Sequence, residues 1–239
     1  MREQLHTIPV NDAFDLGGEC PVCNMIQEIE TKAIDFTMGP SYMEDDVRGE
    51  TSKKGFCQKH MGLLYKNQNR LGLSLIIKSH MDKVIKDIEK LSKSNTRIPT
   101  PFLFKKQGDS SGVASYMEHL DDSCYICDNV NRTFDRYIAT VFYLYKQEDM
   151  FRKKFRECQG FCNKHYGLLY KQASMHLSGE QLKDFYKELN SLYLDNMKRV
   201  RDDLEWFINK FDYRYADEPW KNSKDALQRS INKTNSIIN

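Results

Sequence analysis

The chain has 239 residues, which is enough for one substantial core or for two packed halves. Its 36 basic and 34 acidic residues are interspersed, and a net charge of +2 argues against a general nucleic-acid or anionic-membrane surface. The opening residues M-R-E-Q-L-H-T lack the apolar core of a secretion signal, and no run approaches the roughly 18–20 apolar residues of a membrane span. We therefore expect a cytoplasmic protein with no membrane span, in which the seven cysteines stay reduced and serve metal or redox chemistry.

The first half of the chain shows the apolar periodicity of helices. Residues 1–19 read as an irregular arm that leads to Pro21 at the first position of a helix, which Gly39-Pro40 ends. A polar stretch over 41–54 predicts a short helix and a loop. Two more helices are expected after it, the first running to about Asn69 and the second ending near 94.

The second half repeats this plan with longer helices. Ser178 and Gln181 have the spacing of a capping box, and the apolar residues that follow predict a helix of about thirty residues. In the tail, Pro219 marks a helix start, and four residues lie on one side of the helix that would follow: Leu227, Ile231, Thr234 and Ile238. We expect this last helix to dock on the protein or on a partner.

Two nearly identical segments show that the halves are related. Residues 55–66 read G-F-C-Q-K-H-M-G-L-L-Y-K and residues 160–171 read G-F-C-N-K-H-Y-G-L-L-Y-K, identical at ten of twelve positions. No stretch alternates as a strand would. We predict an all-α fold of two tandem pseudo-symmetric helical repeats. The predicted divisions are 1–94 for the first repeat, 95–115 for a Pro- and Gly-containing linker, 116–212 for the second repeat and 213–239 for the C-terminal amphipathic helix.

The cysteines and two of the histidines have the spacing of metal ligands. A C-x-x-C pair precedes each G-F-C-x-K-H segment, and we pair the two motifs within each repeat. The predicted ligand sets are Cys20, Cys23, Cys57 and His60 in the first repeat and Cys124, Cys127, Cys162 and His165 in the second. Three cysteines and one histidine form a common structural zinc site, so we predict two zinc ions per chain. Helix N-termini would favour the thiolates, and Lys59 and Lys164 could offset the formal charge of −1.

Other interpretations of these residues stay open. An iron–sulfur cluster could replace zinc, and buried thiols with two core histidines would need no metal. Cys158 has no counterpart in the first repeat and is a spare ligand, a reactive thiol or an ordinary buried cysteine. The remaining histidines are expected to pack or to lie at the surface: His6, His80, His119 and His176.

The repeated G-L-L-Y-K segments also have two readings. Tyr65 and Tyr170 could line a ligand pocket between the repeats, or the segments could simply pack with one apolar face. The chain has no G-x-S-x-G, H-E-x-x-H, P-loop or Rossmann motif, so we expect a protein without catalytic activity.

With C-P-V-C, both G-F-C-x-K-H segments and E-P-W-K-N-S-K-D-A-L-Q in view, the chain resembles an uncharacterised bacterial domain-of-unknown-function family found in Firmicutes. Some members are labelled as ABC-transporter substrate-binding proteins, a label that fits poorly because the chain shows neither a lipobox nor an α/β pattern. The resemblance implies a bacterial cytosolic protein with paired Cys/His motifs and implies no particular activity.

Three functions are compatible with these features. The first is a zinc-stabilised binding or adaptor module for an unknown protein or small-molecule partner. The second is an iron–sulfur, thiol-based redox or metal-handling protein. The third is an enzyme with a pocket between the repeats.

Overall fold

A computed structural model of the protein describes residues 6–94 and 112–236. All regular structure in these two segments is helical, which confirms the all-α prediction. None of the helices in these segments is both long and apolar enough to cross a bilayer. The α-helices are α1 (Thr7–Asp15), α2 (Pro21–Met38), α3 (Asp45–Lys54), α4 (Gln58–Lys66), α5 (Arg70–Ser94), α6 (Gly112–Asp121), α7 (Tyr125–Gln147), α8 (Asp149–Glu157), α9 (Asn163–His176), α10 (Gly179–Asn209) and α11 (Ala226–Asn235), with short 3-10 helices at Pro40–Met43 and Tyr213–Tyr215.

Most of the predicted helices are present, and the N-terminal arm is the main difference. The arm contains α1, whose residues Val10, Ala13 and Phe14 are buried. Their spacing of three and four is helical, but three apolar residues in a short segment give little periodicity to detect. Of the predicted linker, residues 95–111 lie outside the described residues, and 112–115 belong to α6.

The long helix α10 begins where the sequence predicts but without the expected cap. Ser178 is its N-cap residue, yet the Ser178 side chain makes no capping hydrogen bond. Gly179, at φ +57°, is the first helical residue, and the helix then runs for 31 residues. The start is therefore confirmed, and the predicted capping box is wrong.

The chain divides into two compact units that differ from the two halves of the sequence. Unit 1 comprises Met1–Glu28 and Thr133–Asn239, and unit 2 comprises Ile29–Arg132. Both divisions fall inside helices, one within α2 and the other within α7. Each unit therefore contains segments of both sequence repeats.

Unit 1 has a core of aromatic side chains. Phe155 is fully buried, and its ring centroid lies 5.3 Å from that of Phe161 and 5.4 Å from that of Phe185. Phe14 of α1 contacts Phe151 of α8 edge-on at 4.9 Å. Aromatic pairs in these arrangements contribute beyond their buried area, so this cluster fixes α8, α10 and the segment before α9 around one centre.

Unit 2 has a smaller aliphatic core. Met38, Leu64 and Leu73 are buried together, and partly buried residues, among them Phe56 and Ile77, pack against them. Helix α3 packs along α5, and α4 and α6 also contact α5. The core thus holds the start of α4 in place beside α5.

The tail forms the expected amphipathic helix, with a different buried face. The predicted helix start at Pro219 is wrong, because α11 starts seven residues later, at Ala226; the helix packs against α9 and α10. Ala226 and Lys233 are its buried residues, while Leu227 is 51% exposed and Thr234 is exposed. The prediction is therefore wrong for Leu227 and Thr234, because a lysine with buried hydrogen-bond acceptors occupies the side that faces the protein. Of the other two residues on the predicted face, Ile231 is half-buried and Ile238 lies outside the described residues.

Candidate metal centres

All eight predicted ligand residues converge, but the pairing crosses between the repeats. One cluster, site 1, contains Cys20, Cys23, Cys162 and His165; the other, site 2, contains Cys57, His60, Cys124 and Cys127. Within each cluster, the candidate ligand atoms all lie within 4.8 Å of one another. Site 1 lies entirely in unit 1 and site 2 entirely in unit 2. The predicted pairing of each C-x-x-C with the C-x-x-H of its own repeat is therefore wrong.

The lengths of the helices explain why each C-x-x-C pairs with the C-x-x-H of the other repeat. Helix α2 has 18 residues and carries the chain about 27 Å from Cys20 before it turns. The following α3 has 10 residues and spans only about 15 Å, which is little more than half the length of α2. The second repeat has the same arrangement, with the 23-residue α7 followed by the 9-residue α8. Each C-x-x-C is consequently separated from the C-x-x-H of its own repeat.

Site 1 has the spacing of a single-ion centre. The Nδ1 atom of His165 lies 3.4, 3.3 and 3.2 Å from the Sγ atoms of Cys20, Cys23 and Cys162, respectively. The Sγ atoms of Cys23 and Cys162 are 3.7 Å apart. A tetrahedral ion with Zn–S and Zn–N bonds of standard length separates sulfurs by about 3.8 Å and sulfur from nitrogen by about 3.5 Å. The four atoms therefore fit around one ion.

Site 2 has the same spacing. The Nδ1 atom of His60 lies 3.3 Å from the Sγ atoms of all three cysteines, Cys57, Cys124 and Cys127. The Sγ atoms of Cys57 and Cys127 are 3.8 Å apart. These four atoms therefore also fit around one ion.

Both sites are built from helix N-termini. Helices α2 and α7 begin directly after Cys20 and Cys124, and Cys57 and Cys162 are the N-cap residues of α4 and α9. The unpaired N–H groups and the positive dipole end of a helix stabilise thiolates at these positions.

A glycine with positive φ precedes each C-x-x-H and shapes its approach. Gly55 has φ +61° and Gly160 has φ +76°, a region that disfavours residues with a Cβ. A Cβ on Gly160 would lie 2.9 Å from the carbonyl oxygen of Leu192, and one on Gly55 would lie 2.8 Å from the His80 ring. The G-F-C sequence that the two repeats share thus reflects a tight turn before the third cysteine of each repeat.

Without a cation, the cysteines in each site cannot all be thiolates. Burial raises the pKa of Cys20, and the neighbouring cysteines raise it further. The pKa of Cys162 is lowered, because hydrogen bonding with Cys20, Cys23 and His165 stabilises its thiolate. One bound divalent cation would stabilise all three thiolates together, which is the usual reason that such clusters hold metal.

The two histidines differ in what their outer nitrogen contacts. His60 Nε2 lies 3.0 Å from Oε1 of the buried Glu30, an arrangement that leaves Nδ1 free to bind an ion. His165 Nε2 is buried and has no hydrogen-bond partner among the described residues. The ring of Phe134 lies 6.1 Å from the His165 ring. Glu30 follows Cys20 by ten residues and Phe134 follows Cys124 by ten, so equivalent positions supply a carboxylate to one site and a phenyl ring to the other.

Glu30 also changes the expected role of Lys59. Lys59 Nζ lies 2.5 Å from Glu30 Oε1 and pairs with that carboxylate. Burial would raise the pKa of Glu30, but hydrogen bonds from Lys59 and His60 lower it overall. Lys59 is therefore engaged by Glu30, and Lys164 of the second repeat is exposed.

A buried lysine from the tail connects the two ligand loops of site 1. Lys233 of α11 is 1% exposed, and its Nζ donates to the carbonyl oxygens of Glu19 and Gln159, the first at 2.7 Å. It also pairs with Glu19 Oε2 at 3.2 Å. Ser236 Oγ lies 3.3 Å from Cys162 Sγ. Sequence analysis did not identify Lys233 or Glu30, because neither belongs to a motif.

Cys158 is in neither cluster. It is the C-cap residue of α8, and burial raises its pKa to about 11. At neutral pH the Cys158 thiol is therefore protonated and a poor nucleophile.

The other four histidines belong to neither cluster. His80 lies 2.8 Å from the carbonyl oxygen of Ser52, His176 stacks on Phe142 at 4.7 Å, and His6 contacts Tyr137. His119 is exposed in the last turn of α6.

The two G-L-L-Y-K segments bury their second leucines and leave their tyrosines at the surface. Leu64 and Leu169 are fully buried. Tyr65 is 62% exposed and Tyr170 is 43% exposed. The second leucine of each segment therefore packs in the core of its own unit.

Comparison with known proteins identifies the family. The chain belongs to the family of unknown function DUF6062, whose model matches residues 1–239. No curated protein and no solved structure matches the chain.

Proposed function

We propose that this DUF6062 member is a zinc-binding helical protein with one Cys3His zinc ion in each unit. The observation that carries the proposal is the convergence of three Sγ atoms and one Nδ1 atom in both sites at the spacing of a tetrahedral ion. Four protein ligands fill the coordination sphere of zinc and leave no position for a substrate. The ions would therefore stabilise the fold.

The role of these ions would be to join segments that are distant in sequence. In site 1, Cys20 and Cys162 are 142 residues apart, and in site 2, Cys57 and Cys124 are 67 residues apart. An ion that joins such segments contributes its binding free energy to folding. We propose that the stabilised units form a non-enzymatic binding or adaptor module in the cytoplasm of a bacterium, with a protein or small molecule as partner.

Metal analysis with an absorption spectrum tests the zinc assignment. We expect anaerobically purified protein to contain two zinc ions per chain and to be colourless. Iron with inorganic sulfide and absorption in the visible range would refute the assignment and support the iron–sulfur alternative. The structural role is tested separately: a strong chelator should reduce helical circular dichroism and lower the melting temperature.

A further inference from the structure

We propose that the two sites have different exchange behaviour: site 2 exchanges its ion with small chelating ligands in solution, while site 1 is sealed by α11. This inference rests on the proposed function and extends it, because it assigns a metal-handling role to one site and a permanent structural role to the other.

The first observation is the difference in exposure of the cysteines. All four ligand residues of site 1 are buried, and Cys162 is fully inaccessible. In site 2, Cys57 and Cys127 are half-buried, although Cys124 and His60 are buried. Their sulfurs lie 3.8 Å apart, and both residues are partly exposed, so a chelating ligand can approach the ion of site 2 beside them.

The second observation is the closure of site 1 by the tail. The Lys233 ammonium has three acceptors: the carbonyl oxygens of Glu19 and Gln159 and the Glu19 carboxylate. Glu19 directly precedes Cys20, and Gln159 lies three residues before Cys162. A single side chain thus fastens both ligand loops, so these loops cannot separate until the lysine leaves.

The same tail also reaches a ligand atom. Ser236 Oγ lies 3.3 Å from the Cys162 sulfur, where it covers this thiolate. A buried cation beside a zinc centre of formal charge −1 is also favourable electrostatically. Among the described residues of unit 2, no buried lysine joins the ligand loops: Tyr125 N–H donates directly to the Gly55 carbonyl, and Ser123 donates to the Lys54 carbonyl.

The third observation concerns the histidines. The Glu30 carboxylate at site 2 contacts His60 Nε2, the ring nitrogen that faces away from the cysteines, whereas at the equivalent position of site 1 the Phe134 ring lies 6.1 Å from the His165 ring. Site 2 therefore combines a well-oriented histidine, which favours binding, with two accessible thiolates, which permit ligand exchange. This combination suits a site that gains and loses its ion reversibly.

Chelator competition on the full zinc-loaded chain tests the proposal. Zinc release to excess 4-(2-pyridylazo)resorcinol, followed by absorbance, should show two phases of one ion each. Alkylation with N-ethylmaleimide at successive times, mapped by mass spectrometry, should label Cys57 and Cys127 in the fast phase and Cys20, Cys23 and Cys162 in the slow phase. One phase for both ions, or labelling of the site 1 cysteines first, would overturn the proposal.

Two tail variants test the seal. Lys233→Met removes hydrogen bonds from a charged group and should accelerate the slow phase by about tenfold or more, with the fast phase unchanged. Lys224→Met, at an exposed lysine of the same tail, is the matched control and should change neither phase. If Lys233→Met does not fold, Ser236→Ala supplies the same test with a smaller change. An unchanged slow phase in both Lys233→Met and Ser236→Ala would refute the role of α11.

The outcome also separates this inference from the proposed function. Two zinc ions released in a single phase would leave the zinc assignment intact and reject the exchange difference. Protein that contains no zinc before the chelator is added would reject both.

Discussion

The exchanged pairing of the ligands predicts the zinc content of paired cysteine variants. Cys20 and Cys162 belong to different repeats and to one cluster, with both Sγ atoms within 3.4 Å of His165 Nδ1. In the double variant Cys20→Ser/Cys162→Ser, site 1 keeps two of four ligands and site 2 keeps all four. We therefore expect one zinc ion per chain instead of two.

The energetic consequence should be confined to unit 1. A structural zinc site supplies about 10–16 kcal/mol of apparent binding free energy, which exceeds the stability of most domains. We expect unit 1 to unfold in this variant while unit 2 keeps its ion. Zinc content is measured by elemental analysis after dialysis against a moderate chelator, and hydrogen exchange with mass spectrometry reports the folding of each unit.

A second double variant serves as the matched control. Cys23→Ser/Cys57→Ser also removes two cysteines, but these belong to different clusters. The structure predicts that this variant loses both zinc ions. If the sites were formed within the repeats, the two results would be reversed: Cys20→Ser/Cys162→Ser would lose both ions and Cys23→Ser/Cys57→Ser would lose one. That reversal would refute the exchanged pairing.

Four further substitutions probe individual contacts. Glu30→Gln should weaken zinc binding about 10–100-fold at site 2 alone, because the His60 ring loses its carboxylate partner; competition titration measures this, with no change at site 1 expected. Gly160→Ala should destabilise unit 1 by about 1–3 kcal/mol, since φ +76° and the Leu192 carbonyl both oppose a Cβ; denaturant unfolding measures this, and an unchanged midpoint contradicts it. Phe155→Ala should cost about 3–5 kcal/mol by opening a cavity in the aromatic core, measurable in the same titration. Glu188→Gln should make the stability of the protein less dependent on pH in the acid range. Burial alone would raise the pKa of Glu188, but hydrogen bonds from Arg156, Tyr145 and Arg152 lower it. The stabilisation by the Glu188 carboxylate is therefore present above about pH 4.3 and is lost as the pH falls through the lowered pKa of the folded state.

The helices themselves could be predicted from local sequence. Pro21 and Gly39-Pro40 bound α2, and the 31-residue α10 begins directly after Ser178. Local steric preferences and apolar periodicity fix such features without reference to distant residues. The short α1 was missed because its buried face has only three residues, and the face of α11 was misassigned because a lysine takes the place of an apolar residue.

The identity of the eight ligand candidates was also present in the sequence. The spacing C-x-x-C and C-x-x-H places two donors at a helix start, and the duplication marks both sets. The groups that contact the two histidine rings away from the cysteines could not be recognised in the sequence. Glu30 and Phe134 occupy the same position in their repeats, and each contacts the histidine of its own repeat, yet one supplies a carboxylate to His60 and the other a phenyl ring to His165.

Most of the helices, the duplication and the eight residues with metal-ligand spacing can be recognised in the sequence, because these features depend on neighbours a few positions apart. Which C-x-x-C meets which C-x-x-H depends instead on how the helices are arranged in space. The physical reason is the length of α2 and α7, which carry the chain about 27 and 35 Å before the short helices that follow. The same tertiary arrangement brings Lys233 and Ser236, more than seventy residues from Gln159 and Cys162, to site 1 and thereby makes the two sites different.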